Sequence, residues 1–287
     1  MKVMMIAVFD EQSTNNSQAD GFEANGCEVI RYNYRVRATE IGLENRDSDI
    51  IKICQEQRPH LVFFSKCNEV NIRVVIECNK VCKTVLWYMD PDNINFNAEL
   101  IQKMQYSSYT CCSNRGSFNK AKQYAKNCYF IQEGFDHKVD KPFVLSYIHD
   151  VSFIGTIRNE RIKYYDALKF YNYTNVFGSE HAKAVSSSKI NLNFTDIGTS
   201  DRVYKILAAK GFLLTEPWLH MEVDFEVGKD LITFNGIEDL KNKIEYYINN
   251  DEERVKIAQS GYNTVQKFNR INYAKKILDI YEKIRNN

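Results

Sequence analysis

Residues 188–216 read SKINLNFTDIGTSDRVYKILAAKGFLLTE, and this stretch decides the fold. Lys189 to Phe194 alternate and concentrate β-formers as a buried strand does, and Thr195 to Ser200 form a polar loop with one glycine. Asp201 to Lys210 then carry apolar residues at helical spacing, with Ser200 or Asp201 placed to cap the start and Gly211 to close the end. Phe212 to Thr215 resume a strand. Strand, helix and strand within so short a span predict a βαβ unit on a parallel sheet.

Working outward, the same rhythm repeats. Ahead of this unit lie strand-like runs at Val151 to Ile154 and Thr174 to Phe177, and behind it one at Leu231 to Phe234. An earlier series runs through Lys2 to Phe9, Glu28 to Tyr32, His60 to Ser65, Lys83 to Met89, Tyr109 to Cys112 and Asn127 to Ile131. A polar crossover from Gln132 to His149, with Gly134 and Pro142, separates the two series. The end of the chain is helical: Glu238 to Asn249, Asp251 to Phe268 and Ile271 to Ile284. Gly261 falls inside the middle helix, where it marks close packing or a break. The expected fold is α/β: two Rossmann-like domains, residues 1–135 and 136–287, with a cleft between them where the carboxyl ends of both sheets face each other, and a helical C-terminus.

Composition narrows the function classes. The 287 residues hold 38 Lys+Arg against 37 Asp+Glu, so the whole molecule has no electrostatic pull toward nucleic acid or anionic lipid. Residues 1–140 carry 17 Lys+Arg and 18 Asp+Glu, which gives the first domain no basic excess for DNA, although Arg115, Lys120, Lys122 and Lys126 form one local basic run. No apolar stretch is long enough for a membrane span, and the apolar start is cut short by Asp10 and Glu11, so a cytoplasmic protein is expected. All eight cysteines precede residue 129 without a CxxC pair or a histidine at zinc spacing, so reduced thiols and no metal are expected.

The candidate chemistry centres on Asp150 to Glu216. Val151 to Ile154 end at Gly155 and Thr156, and Arg158 and Arg161 follow; main-chain amides and guanidinium groups at such a turn suit a diphosphate. The plainer alternative is a tight turn with solvated arginines. Further on, Arg202 and Lys205 stand in the helix that Ser200 opens, and Glu216 ends the next strand.

The order VSFIGT (151–156), Arg158, SKINLNF, DRVYKILAAKGFLLTE and YYINNDEERVKIAQSGYNTV (246–265) resembles the donor domain of the spore-maturation CgeB-like glycosyltransferases, a two-Rossmann (GT-B) group. The resemblance covers roughly residues 127–267; before that it rests on Trp87 to Pro91 and on Glu133 to Asp136. It implies a nucleotide-diphosphate sugar as co-substrate in the second domain, no further cofactor, and an acceptor in the first. The chain departs from the family where an acidic residue usually follows the aromatic one in the helix start and is assigned to the donor ribose. Here that pair is Tyr204-Lys205, and lysine only donates. Glu216 is the nearest acidic substitute.

Sugar transfer needs charge relief on the departing diphosphate and, for inversion, a base on the acceptor hydroxyl. Arg158, Arg161, Arg202 and Lys205 are the candidates for the first task. Asp90, after the strand Thr84 to Met89 and before Pro91, is the candidate base or else a turn former; Asp10 and Glu11 are its rivals. Arg31, Tyr32, Tyr34 and Arg35 interleave cations and aromatics as an acceptor loop does, or line an ordinary strand edge. His181, after Phe177-Gly178, is a further cleft candidate. The acceptor stays open among glycan, protein and a modified DNA base. Competing functions on the same fold are a non-catalytic nucleotide-sugar or carbohydrate binding module and a sugar-nucleotide epimerase.

Overall fold

The computed structural model describes residues 1–90, 96–195 and 198–286. The chain divides into two compact units, Met1–Gln132 together with Arg270–Asn287, and Glu133–Asn269.

Unit 1 runs β1 (Lys2–Ala7), α1 (Thr14–Ala24), β2 (Glu28–Asn33), α2 (Tyr34–Ile41), α3 (Leu43–Gln57), β3 (Leu61–Ser65), α4 (Ile72–Val81), β4 (Lys83–Tyr88), α5 (Ala98–Tyr106), β5 (Tyr109–Cys112), α6 (Arg115–Ala121) and β6 (Cys128–Phe130). The strands are parallel in the order β2-β1-β3-β4-β5-β6. β3 is buried along its whole length and β4 in all but its first residue, which explains their unbroken apolar runs, since a central strand of a parallel sheet is covered on both faces. Side chains one register apart serve opposite cores: Met4, Ile6, Phe64 and Leu86 on one side, Val3, Met5, Phe63 and Trp87 on the other.

Unit 2 runs β7 (His149–Ile154), α7 (Ile162–Ala167), β8 (Tyr171–Tyr173), α8 (Gly178–Ser186), β9 (Ser188–Asn193), α9 (Asp201–Ala208), β10 (Leu213–Thr215), β11 (Ile232–Thr233), α10 (Gly236–Asn249) and α11 (Asp251–Val265), and α12 (Arg270–Arg285) follows it. Its parallel sheet has the order β11-β10-β9-β7-β8. In each sheet the strand order reverses beside its first strand, between β1 and β3 and between β7 and β9. Ligands of open α/β sheets bind outside the carboxyl ends of the strands at such a reversal.

Three expectations change here. The first domain was expected to end at residue 135 and the helical tail to belong wholly to the second; α12 instead packs in unit 1, where Tyr273, Ala274, Ile277 and Tyr281 join Phe22, Trp87 and Tyr109 in one core. Gly21 permits the contact, because a Cβ on it would run into the Arg270 carbonyl. The second strand of unit 2 is Tyr171–Tyr173 rather than 174–177, since Asn175 and Gly178 take positive φ and turn the chain into α8. The left-handed residue after α9 is Lys210 (φ 58°), not Gly211, which is needed for space: a Cβ there would strike the Val185 side chain. Gly261 is a close-packing glycine inside unbroken α11, with the Asp230 carbonyl where its Cβ would be.

Candidate functional site

The carboxyl edge of the unit 2 sheet is organised by one guanidinium. Arg202 opens α9 and donates from Nε to the Ile154 carbonyl at the end of β7 (2.7 Å) and from Nη1 to Asn193 Oδ1 at the end of β9 (3.1 Å). It therefore spans the strand reversal. Gly155 follows β7 with φ 142°, and its missing Cβ would lie 2.8 Å from Arg202 Nη2. The Phe153 ring lies under Arg202 at 4.9 Å and beside Arg161 at 5.6 Å.

Glu216, at the end of β10, holds the neighbouring loop. Its carboxylate accepts from the Tyr164 hydroxyl (2.6 Å) and from the Thr195 N–H (2.8 Å). Burial and that carboxylate push the Tyr164 phenol above its ordinary pKa, so it remains a donor. Residues 196 and 197 of the loop predicted from Thr195 to Ser200 lie outside the described residues. Ser200 occupies the N-cap position of α9 with extended backbone but makes no side-chain capping bond among the described residues. Arg161 reaches back to the Thr156 carbonyl (3.1 Å). The Gly155 N–H, expected to face a ligand, is instead spent in the sheet on the Tyr173 carbonyl (2.9 Å). Arg158 is exposed, and its side chain makes no hydrogen bond or ion pair among the described residues.

Lys205 is one turn further along α9 and pairs with Asp201 at 2.6 Å. Two buried groups lie within its field. Burial pushes the Asp140 carboxyl up to about 6 against the pull of Lys205, while its Oδ2 accepts from the Asp136 N–H (2.9 Å). His181, on α8, is pushed down to about 3 by burial, with Lys205 and Arg202 adding to the shift and Asp201 opposing it, so it is neutral. Neither Asp140 Oδ1 nor His181 Nδ1 has a hydrogen-bond partner among the described residues.

In unit 1, Asp90 follows β4 and is held by Lys66, which follows β3, at 2.7 Å. The Ser117 hydroxyl donates to the Asp90 carbonyl at 2.5 Å. Pro91, the other half of that expectation, is outside the described residues. Asp10 follows β1; its carbonyl accepts from the Ser13 N–H (2.9 Å) and its carboxylate from Asn33 Nδ2 (3.4 Å), and Glu11 is exposed in the same turn. Asp10, Lys66 and Asp90 thus share the carboxyl edge of neighbouring strands β1, β3 and β4.

The expected acceptor loop is not a loop. Residues 31–33 belong to β2 and 34–37 to α2. Arg31 is taken up by Asp20 and Glu23, each at 2.7 Å. Tyr32 is buried with its hydroxyl on Asp49 (2.9 Å), and Tyr34 is core. Strand alternation turns Tyr32 inward and the start of α2 turns Tyr34 inward, which leaves Arg35 exposed. The basic run is similarly used at home: Arg115 lies 3.5 Å over Phe130, Lys120 4.8 Å over Phe96 and Lys122 4.8 Å over Phe118. All eight cysteines are free, and no group of three or more metal-ligating side chains gathers among the described residues.

Sequence reasoning missed Asn193, Lys66 and Asp140. Asn193 had a signal: with Asn191 it places two amides on one face of a strand, alternating with the apolar Ile190 and Leu192, and both are buried, Asn193 Nδ2 donating to Thr215 Oγ1 at 2.9 Å.

Two Rossmann-like sheets, each with a strand reversal carrying charged groups at its carboxyl edge, are the architecture of the GT-B glycosyltransferases. Residues 144–279 match the family model described as "Glycosyl transferase-like", just under half of the chain. Anabaena HepE, solved in complex with UDP and glucose, superposes with a TM-score of 0.73 at 10% identity, over 99% of this chain and 100% of that one. A glycosyltransferase from Rickettsia africae gives 0.67 at 12% identity, over 100% and 99%. Sucrose-phosphate synthase from Thermosynechococcus elongatus gives 0.75 at 8% identity, over 99% of each chain. At such identities the likeness is one of fold. No curated protein matches the chain. The fold is that of GT-B glycosyltransferases, and residues 144–279 are similar to a glycosyl transferase-like domain. No helix among the described residues is long and apolar enough to cross a membrane.

Proposed function

We propose that the chain transfers a sugar from a nucleotide-diphosphate donor bound by unit 2 to an acceptor hydroxyl presented by unit 1. The observation that carries this reading is the constellation of Gly155, Arg158, Arg202 and the amino end of α9 at a strand reversal, all inside the segment that matches the glycosyltransferase-like model. The donor diphosphate takes the helix end and the exposed Arg158, whose side chain has no hydrogen-bond or ion-pair partner among the described residues. Arg202 has a double task, because its Nε and Nη1 lock β7 to β9 while its charge adds to the field that meets an anion. Lys205 adds positive field but is balanced by Asp201, and Glu216 fixes the loop after β9 rather than reading the ribose directly. These protein cations relieve charge on the leaving group. In this reading the protein is cytoplasmic and CgeB-like, and the acceptor is a glycan, a protein or a modified nucleobase.

Asp90 is the proposed acceptor base. Its ion pair with Lys66 holds the carboxylate at the edge of β4, and Asp10 is the rival on the other side of β3. Base and donor roles separate experimentally. Asp90→Asn should lower turnover about 100- to 10,000-fold with donor affinity unchanged, whereas Arg158→Ala should weaken donor binding by about 1.5–3 kcal/mol with the melting temperature unchanged. The assay is calorimetric binding of UDP-glucose and other nucleotide sugars, with release of the nucleoside diphosphate followed by mass spectrometry. Binding without turnover for every donor and acceptor would make the chain a binding module, and an altered free sugar nucleotide would make it an epimerase. Failure to bind any nucleotide sugar would end the proposal.

A further inference from the structure

Asp90 forms one wall of a cavity of about 70 Å³ in unit 1, with Asn68, Tyr88, Asn97, Glu99 and Lys103 among the other walls. That is several times the roughly 10–15 Å³ that one water-sized group needs. The turn after β3, which carries Asn68, has an unusual form: Lys66 (φ 63°) and Cys67 (φ 52°) are both left-handed. The buried Lys103 ammonium holds this turn by donating to the carbonyls of Cys67 (2.8 Å) and Asn68 (3.4 Å). It also pairs with Glu99 at 2.8 Å, so its three N–H groups are all spent. Lys66 in turn reaches both oxygens of Asp90, at 2.8 and 2.7 Å. Each carboxylate of the cavity therefore has its own lysine, and the lining offers no spare cation to a phosphate.

Tyr88 is the unsatisfied member. It lines the cavity and is only 2% exposed, yet its hydroxyl has no hydrogen-bond partner among the described residues. Burial and the neighbouring Asp90 carboxylate push the phenol above its ordinary pKa, so it remains a donor. A buried hydroxyl normally has a partner, and the cavity is the space from which one can reach Tyr88 and Asp90 together. The amides add further groups: Asn97 Oδ1 accepts from the Leu100 N–H (2.8 Å), which leaves Nδ2 to donate, and the exposed Asn68 side chain makes no hydrogen bond among the described residues.

We propose that this cavity is the acceptor subsite and that the acceptor is a neutral carbohydrate, whose reacting hydroxyl lies between the Asp90 carboxylate and the Tyr88 phenol and whose adjacent hydroxyls meet Glu99 and Asn97. The assignment rests on the reading of Asp90 as the acceptor base. The reacting hydroxyl accepts from Tyr88 and donates to Asp90. As its oxygen bonds to the anomeric carbon of the donor, its proton passes to Asp90, and the bond from that carbon to the diphosphate breaks with the electron pair leaving on the diphosphate. A sugar fits because every hydroxyl both donates and accepts, which matches a wall of carboxylates, amides and a phenol. A phosphodiester would bring negative charge to a lining whose one lysine is spent, and a serine or threonine peptide would bring a single hydroxyl to groups placed for several.

The probes are the methyl glycosides of glucose, galactose, mannose and N-acetylglucosamine, titrated into the full chain with and without UDP and followed by saturation-transfer NMR. Saturable binding of at least one glycoside is expected. Tyr88→Phe, which keeps the ring edge-on to Phe96 at 5.4 Å, and Glu99→Gln should each weaken it about threefold to tenfold and leave the affinity for UDP-glucose unchanged. Among monodeoxy glycosides, removal of the reacting hydroxyl should weaken binding to the natural chain but cost nothing further in Tyr88→Phe, a coupling that a purely structural Tyr88 does not produce. The proposal is overturned if no glycoside binds in either condition, if Tyr88→Phe binds as the natural chain does, or if the 6-phosphate of a glycoside binds more tightly than the glycoside. Binding of a serine peptide or of 5-hydroxymethyldeoxycytidine in place of every glycoside would assign the acceptor to protein or nucleobase and overturn it as well. The two readings fail separately: UDP-glucose binding without glycoside binding removes only the carbohydrate acceptor, and glycoside binding without any nucleotide sugar removes only the donor site.

Discussion

Gly155→Ala tests whether Arg202 is the keystone of the unit 2 site. At φ 142° an alanine is strained by about 1–3 kcal/mol. Its Cβ would also lie 2.8 Å from Arg202 Nη2, the far end of a long side chain, so Arg202 must swing away. That movement breaks at least one of the two bonds to the Ile154 carbonyl and Asn193 Oδ1, each a hydrogen bond to a charged group and thus about 1.5–3 kcal/mol. Gly155→Ala should therefore destabilise unit 2 by about 2.5–6 kcal/mol in the natural chain, but by only the strain, about 1–3 kcal/mol, when Arg202→Ala has already removed the bonds. The coupling energy of the cycle is then about 1.5–3 kcal/mol. The two tryptophans make the measurement specific, since Trp87 reports on unit 1 and Trp218 on unit 2. Urea unfolding followed at Trp218 in a Trp87→Phe background gives the four free energies. Additivity within about 0.5 kcal/mol would refute the reasoning and reduce Gly155 to an ordinary turn glycine.

Gly261→Ala should lower the unit 2 midpoint by about 1–3 kcal/mol despite a helix-propensity gain of about 1 kcal/mol, because its Cβ meets the Asp230 carbonyl and Leu207; a raised midpoint would contradict the packing. Asp140, pushed by burial from its ordinary 3.8 up to about 6, binds its proton more tightly in the folded state, so its contribution is most favourable below pH 4 and is lost as pH rises to 6. Asp140→Asn should accordingly be more stable than the natural chain at pH 8, with the gap closing toward pH 4; a constant gap in urea midpoints across that range would exclude titration of Asp140. His181 has the opposite sign: lowered from 6.5 to about 3, it costs stability as pH falls below 6.5, and His181→Leu should flatten acid unfolding between pH 6 and 3. Deleting Arg270–Arg285 uncovers Trp87, whose ring meets Tyr273 edge-on at 5.0 Å, and should red-shift its emission and unfold unit 1; native Trp87 emission in the truncated chain would disprove the placement of α12.

Much of the architecture is written in local pattern. Unbroken apolar runs such as Leu61–Ser65, separated by helical spacing, can be buried on both faces only in a parallel sheet, and SKINLNF followed by DRVYKILA places a helix start at a strand end whatever the rest of the chain does. The positions of Gly155, Arg202 and Glu216 at strand and helix ends were therefore legible. Direction and partner were not. Tyr32 and Tyr34 are inside because β2 and α2 meet at Asn33, a boundary that periodicity places only loosely. Lys66 reaches Asp90 across 24 residues because β3 and β4 are neighbours. The C-terminal helix reads from sequence as one more amphipathic segment after α11, but amphipathicity states that a face must be buried and not against what. Only the tertiary structure decided that the Arg270–Arg285 face belongs on α1 and Trp87, where Gly21 lacks the Cβ that would keep the helices apart. By itself the sequence determined the elements and the charged turns, because both depend on contacts within a few residues; the pairing of Arg202 with Ile154 and Asn193 and the return of the last helix depend on strand order, which no local pattern encodes.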